Sequence, residues 1–271
     1  MLQAAWTVPA TDLRRELAGG DARVTVVDAR GPWDYYVRGH LPGAIWLPWW
    51  RFRDGWLRTG ALPRDLPALA RRLAAAGIDE RRPVVVYGNA RGGWGEEGRV
   101  AWMLHYLGHP RVVLLDGGIG AWRSVGGTTT RVVARLPAGR FMARPVASAR
   151  ASTADVAAAG PAGAALLDVR SDAEWNGARK YLSRRGGRIP DAVHLVWREL
   201  LAADGTLDRS PALIARLTAL GLTPDRPVIA YCVAGVRSGE AFYALKALGF
   251  RDVRNYDGSW WEWERRHSVA R

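Results

Sequence analysis

Four short apolar runs punctuate this chain: VTVVD (24–28), PVVVY (83–87), ALLDV (165–169) and PVIAY (227–231). Each is continuous and largely β-branched, the pattern of a strand buried on both faces. Between them lie stretches in which apolar residues return every three or four positions and a glycine ends the run. These are LPALARRLAAAG (66–77), SPALIARLTALG (210–221) and SGEAFYALKALG (238–249), the last with Ala241, Leu245 and Leu248 on one face. Strands that alternate with helices of this length pair in parallel, because the helix carries the chain back along the sheet. The pattern predicts an α/β fold built from parallel sheets flanked by helices.

The whole pattern occurs twice. VVDARGPWDYY (26–36) matches LLDVRSDAEWN (166–176), and GHLPGAIWLPW (39–49) matches GRIPDAVHLVW (187–197). AGIDERRPVVVYG (76–88) matches LGLTPDRPVIAYC (220–232), and YLGHPRVVLLDGGIGAW (106–122) matches ALGFRDVRNYDGSWWEW (247–263). The order is the same in both halves, so the chain is a tandem duplication. Residues 1–130 form one expected domain and 151–271 the other. Residues 131–150, with Pro and Gly, no clear period and no match in the other copy, form the linker.

Composition narrows the chemistry. The 271 residues carry a formal charge of +13, and Lys180 and Lys246 are the only lysines among 39 basic residues. The arginines are scattered in ones and twos with no basic block among aromatics. The charge is therefore read as a field that draws in small anions, with no nucleic acid as partner. No stretch approaches the roughly 20 apolar residues that cross a bilayer, and the N-terminus lacks the pattern of an export signal. A cytoplasmic monomer with no membrane partner is expected. A single cysteine, Cys232, permits no internal disulfide, and no Cys or His spacing offers a zinc cage. No metal and no organic cofactor is expected, and the thiol is either buried filler or reactive.

The segment VIAYCVAGVRSGEA (228–241) favours the reactive reading. In α/β folds ligands bind where the chain leaves the carboxyl end of a strand, and Cys232 is at that turn. With a helix expected from near Ser238, the loop of Val233, Ala234, Gly235, Val236 and Arg237 can turn successive N–H groups toward the sulfur, as an anion cradle. The helix N-terminus and Arg237 lower the thiol pKa. Gly235 supplies conformational latitude, and Ser238 is expected to cap the helix.

This loop, with LLDVRSDAEW, GRIPDAVHLVW and VRNYDGSWWEW, resembles the tandem-domain rhodaneses, over nearly the whole chain. The resemblance implies two rhodanese-like domains, of which only the second is catalytic. It also implies that the Cys232 thiolate takes the outer sulfur of a small anionic donor as a persulfide and passes it to a thiophilic acceptor such as cyanide or a thiol. A thiolate already ionised needs no partnered base, and no histidine lies near Cys232 in sequence. The dual-specificity cell-cycle phosphatases share the fold but place five residues between Cys and Arg. Only Val233, Ala234, Gly235 and Val236 stand here, too few for a phosphate-sized cradle.

Donors in the family divide between thiosulfate and 3-mercaptopyruvate. The mercaptopyruvate enzymes typically carry Cys-Gly-Ser/Thr-Gly-Val-Thr, and this loop departs from that at Val233, Ala234 and Arg237. Glu174 stands where a substrate-binding arginine is usual, with Arg170 or Arg179 as possible substitutes. Thiosulfate is the expected donor, with Arg237 holding the dianion; 3-mercaptopyruvate is the alternative, and a non-catalytic carrier or regulatory module a further one.

The first copy has Gly88 in place of the cysteine, in YGNARGGWGEEGR (87–99), and runs three residues longer to the next Leu-Gly. It offers no nucleophile, and its expected role is to close one wall of the cleft. The resemblance also implies a tryptophan near the persulfide, which assigns Trp197, the counterpart of Trp49, as a pocket wall. Arg179, in the extra basic stretch GARKYLSRRG (177–186), either meets the anionic donor or stays solvated. Asp168 and Arg170 recur as Asp28 and Arg30 and read as a fold-level ion pair, and the tryptophans of DGSWWEW (257–263) as packing.

Overall fold

The computed structural model describes residues 5–19, 23–55 and 59–270. The first half runs β1 (Thr7–Val8), α1 (Ala10–Ala18), β2 (Thr25–Asp28), β3 (Ile45–Trp46), α2 (Leu66–Ala75), β4 (Val84–Tyr87), α3 (Glu96–Tyr106), β5 (Val112–Leu115) and α4 (Gly118–Ser124). The second runs α5 (Thr153–Ala157), β6 (Ala165–Asp168), α6 (Asp172–Trp175), β7 (Val193–His194), α7 (Pro211–Ala219), β8 (Val228–Tyr231), α8 (Arg237–Ala247), β9 (Val253–Asn255) and α9 (Ser259–Trp263). Among the described residues the strands form two parallel sheets, ordered β1-β5-β4-β2-β3 and β7-β6-β8-β9. The four continuous apolar runs are β2, β4, β6 and β8, and every residue in them is buried.

Local chemistry sets the helices between them. Asp65 accepts the Ala68 N–H at 2.8 Å and Ser210 accepts the Leu213 N–H at 3.2 Å, so α2 and α7 start with a side-chain cap and a proline in the first turn. The Asp-x-Arg pair serves the same end in both copies. Arg30 and Arg170 each lie 2.6 Å from their aspartate, Asp28 and Asp168, and each donates a further hydrogen bond to the carbonyl of Gly39 or Gly187. Strand and following turn are thereby locked together.

Residues 131–150 contain one 3-10 turn, Ala147–Ala149, and otherwise run extended along the first half. The N–H groups of Gly139, Arg144 and Val146 donate to the carbonyls of Ala74, Leu107 and Tyr106, and Phe141 is buried. The halves share one hydrophobic cluster, with Val86 and Leu104 from the first and Ala230 and Leu245 from the second. At their junction α3 and α8 lie side by side, as close as two glycines permit. A Cβ on Gly98 would overlap the backbone of Glu240, and one on Gly239 would stand 2.9 Å from the Arg99 Cα.

Candidate active site

Cys232 follows β8 directly, and α8 starts five residues later at Arg237. Gly235 has φ +72°, and a side chain there would meet Asp257 at 2.6 Å, so the turn needs glycine on both counts. The segment after β9 braces the loop from behind. Ser259, itself held at φ +51°, accepts the N–H groups of Cys232 (3.1 Å) and Gly235 (3.0 Å) on its hydroxyl and donates to the Tyr256 carbonyl. The N–H groups of Trp260 and Trp261 donate to the carbonyls of Cys232 and Val233.

The anion cradle is therefore smaller than the sequence suggested, because the Gly235 N–H, with that of Cys232, serves the brace. Those of Ser238 and Ala234 remain on the sulfur. Ser238 does not cap α8, whose N-cap residue is Val236. It lies one residue inside the helix, with its hydroxyl 3.6 Å from Cys232 Sγ and 2.7 Å from Asn255 Oδ1. Cys232 is 1% exposed. Burial pushes the thiol up, while the Arg237 guanidinium, the Ser238 N–H and hydroxyl, and the Ala234 N–H pull it down. The net result lies below the ordinary thiol value.

Arg237 is not free to hold a donor by itself. Its two terminal nitrogens meet both oxygens of Glu174 at 2.6 and 2.7 Å, and both side chains are buried. Glu174 is fixed in turn by the Ser171 N–H and hydroxyl. The family's arginine position thus carries an acid that turns onto the loop and balances its one cation. Burial raises the Glu174 carboxyl, but Arg237 and Ser171 outweigh it and hold the group below its usual range, so the pair is ionised.

The sulfur lies at the base of a cleft of about 330 Å³ between the halves, walled by Trp49, Trp94, Tyr181 and Trp261. Among the described residues, Arg237 and Glu96 are the Arg, Lys, Asp or Glu side chains in this lining. Val233, Ala234 and Val236 form its apolar floor. Trp197 is not a wall: it is 1% exposed in the shared core, with Arg198 stacked on it. Its counterpart Trp49, reaching across from the first half, takes that place. Arg179 is also outside the lining, exposed, bonded to the Tyr181 hydroxyl at 3.0 Å and lying over that ring. Of the DGSWWEW tryptophans, Trp260 and Trp263 pack as expected, whereas Trp261 lines the cleft. Ser259, Asn255, Trp94 and the Glu174 contact were missed as site components. Ser259 and Trp261 stood in a motif noted only for its aromatics.

Comparison with known proteins agrees with this architecture. The family model for the rhodanese-like domain matches residues 9–125 and again 152–266. A sulfur carrier protein of Thermus thermophilus is 33% identical over 257 residues, 90% of this chain and 88% of the relative. A thiosulfate sulfurtransferase of Azotobacter vinelandii is 32% identical over 230 residues, 84% of this chain and 83% of the relative. The crystal structure of SseA from Escherichia coli, described as a 3-mercaptopyruvate sulfotransferase with the rhodanese fold, superposes with a TM-score of 0.81 at 28% identity, covering 94% of this chain and 99% of that one. The chain belongs to the rhodanese family, as a sulfurtransferase built from two rhodanese-like domains.

Proposed function

We propose that this protein moves sulfur from thiosulfate to a thiophilic acceptor through a persulfide on Cys232. The observation that carries the reading is the position of the only thiol, held in an anion-stabilising turn at the base of an interdomain cleft. The Cys232 thiolate attacks the outer sulfur of thiosulfate, the S–S bond of the donor breaks with its electron pair, and sulfite leaves. An acceptor such as cyanide then attacks the outer sulfur of the persulfide, giving thiocyanate and the starting thiolate. The Ser238 hydroxyl and the N–H groups of Ser238 and Ala234 stabilise the anion before and after transfer.

Cleft chemistry favours thiosulfate over 3-mercaptopyruvate. A keto acid needs a seat for its carboxylate some distance from the reacting sulfur. The walls at that distance are aromatic rings and Glu96, itself an acid, and Arg237 is already paired. Thiosulfate carries its charge on the group beside the sulfur and has no remote carboxylate to seat. The apolar walls suit an acceptor with an organic body, and a lone reactive thiol fits a reducing compartment.

Two measurements test this. Intact-mass analysis after incubation with thiosulfate is expected to show the gain of one sulfur atom at Cys232. With cyanide as common acceptor, kcat/KM is expected to be higher for thiosulfate than for 3-mercaptopyruvate. The reverse preference overturns the donor assignment, and an unmodified Cys232 with active turnover overturns the persulfide.

A further inference from the structure

The charged groups around Cys232 come almost entirely in pairs. Arg237 of α8 is balanced by Glu174 of α6, Arg170 by Asp168 at the end of β6, and Arg150 by Asp257 at 2.9 Å in the segment after β9. Glu96 of α3 stands at the cleft wall. One cation behind the loop has no acid within salt-bridge distance among the described residues, and it comes from the other half of the molecule.

Arg99 lies on α3, immediately after the glycine that lets α3 and α8 touch. It is 1% exposed and runs under the catalytic turn. One terminal nitrogen, Nη2, donates to the carbonyl of Gly60, whose backbone is pressed against the Ala234 carbonyl so closely that a side chain on Gly60 would overlap it. The other, Nη1, has no hydrogen-bond partner and lies 2.9 Å from where a Gly235 Cβ would be. A buried, unpartnered guanidinium nitrogen thus faces the turn that carries the thiol. Burial lowers the Arg99 guanidinium to about 10, while Asp257 and Cys232 hold it up and Arg150 opposes them. At neutral pH it remains charged, and its field at the sulfur is weakly screened because both side chains are buried.

We propose that Arg99, supplied by the non-catalytic domain, is a positioning residue that places a permanent positive charge behind the Cys232 turn and stabilises the thiolate and the persulfide anion. This explains why the catalytic domain is held against a partner that has no nucleophile of its own. Counted back from the Leu-Gly that ends both helices, Arg99 and Glu240 occupy equivalent positions. The duplication therefore exchanges two ionisable side chains across the junction, and the cation falls beneath the loop that must hold an anion.

The inference rests on Cys232 as nucleophile, but its test does not require sulfur transfer. The rate of Cys232 alkylation by iodoacetamide is followed against pH in the full chain and in Arg99→Gln, Arg99→Met and Arg99→Lys, with folding checked by circular dichroism and thermal melting. Gln keeps a donor for the Gly60 carbonyl without the charge, so a variant survives if Met does not fold. The charge-free variants are expected to react about fivefold more slowly at pH 7, with the pH profile displaced upward, and Lys is expected to recover most of the loss. A wild-type profile in folded Arg99→Gln or Arg99→Met overturns the proposal. So does Arg99→Lys displaced as far as Gln, because a retained positive charge would then have made no difference. Failure of thiosulfate labelling with a normal alkylation response would instead count against the donor.

Discussion

Both halves leave a central strand through a loop into a helix, β4 to α3 and β8 to α8, yet the two loops hold opposite occupants. In the second, a thiol and a serine hydroxyl meet at the base of an open cleft of about 330 Å³. In the first, Gly88 stands for Cys232 directly after the strand, and Glu97 stands for Ser238 when the helices are counted back from their terminal Leu-Gly. The Glu97 carboxylate lies where a Gly88 side chain would be and accepts the Ala90 N–H at 2.8 Å. What remains is a small space of about 20 Å³ beside Glu97, Asp116 and Glu240. A loop N–H, that of Ala90, is satisfied in one copy by an internal carboxyl group, whereas in the other the N–H groups of Ala234 and Ser238 face the thiol. The first loop is filled by its own Glu97 side chain.

The sharpest way to erase the difference is Cys232→Ser, which removes the thiol proposed as nucleophile from the second loop while keeping its size. Sulfur transfer and labelling by thiosulfate are expected to vanish with little change in melting temperature. Thiosulfate:cyanide turnover retained in this variant would end the persulfide mechanism. The converse, Gly88→Cys, restores the missing thiol to the first loop. No second labelled site is expected, because the new side chain meets the Glu97 carboxylate, and crowding of this kind costs about 1–3 kcal/mol. Labelling at both positions, read by mass spectrometry of peptides, would show that the carboxylate can be displaced.

The duplicated fold was legible because strands buried on both faces leave continuous apolar runs, and because each run appeared twice in one order. Cys232 was legible for the same reason: the repeat showed where the second β4-like strand ends. Three features were hidden by distance along the chain. Glu174 reaches Arg237 only through the packing of α6 against the loop, so local sequence gave Arg237 a free charge that it does not have. Trp49 and Trp197 are equivalent in the repeat, but one faces the cleft and the other the core, since the junction exposes unlike sides of like domains. Ser259 bonds two N–H groups far upstream, an arrangement that no short motif encodes.

A smaller effect separates the loops by pH. Burial, with Asp116 and Glu96, pushes Glu240 up to about 8, and its Oε2 has no hydrogen-bond partner. The unfolded chain ionises this group near 4.3, so the folded state binds its proton more tightly. The stability this contributes is fully present below the unfolded value and is lost as pH rises through about 8. The melting temperature is expected to fall by a few degrees between neutral and mildly alkaline pH, and Glu240→Gln to flatten that slope. An equal slope in the variant would place the titration elsewhere.

The smallest expected change tests whether the paired cation limits the second loop. Glu174→Gln keeps the bulk and an acceptor for Arg237 and Ser171 but removes the balancing charge. Two opposing consequences follow. The free positive charge should favour both thiolate and donor, lowering KM for thiosulfate by about threefold and quickening alkylation at pH 7. Stability should change with opposite sign on either side of the carboxyl's titration. Glu174 is held below its usual value in the folded chain, so the stability it contributes is present above the unfolded value and is lost as pH falls through the folded one. The wild type should therefore lose melting temperature in acid faster than Glu174→Gln, while the variant is the less stable at neutral pH. If KM for thiosulfate is unchanged or rises, the Arg237–Glu174 pair serves the shape of the turn alone, and the charge that distinguishes the two loops must come from behind it.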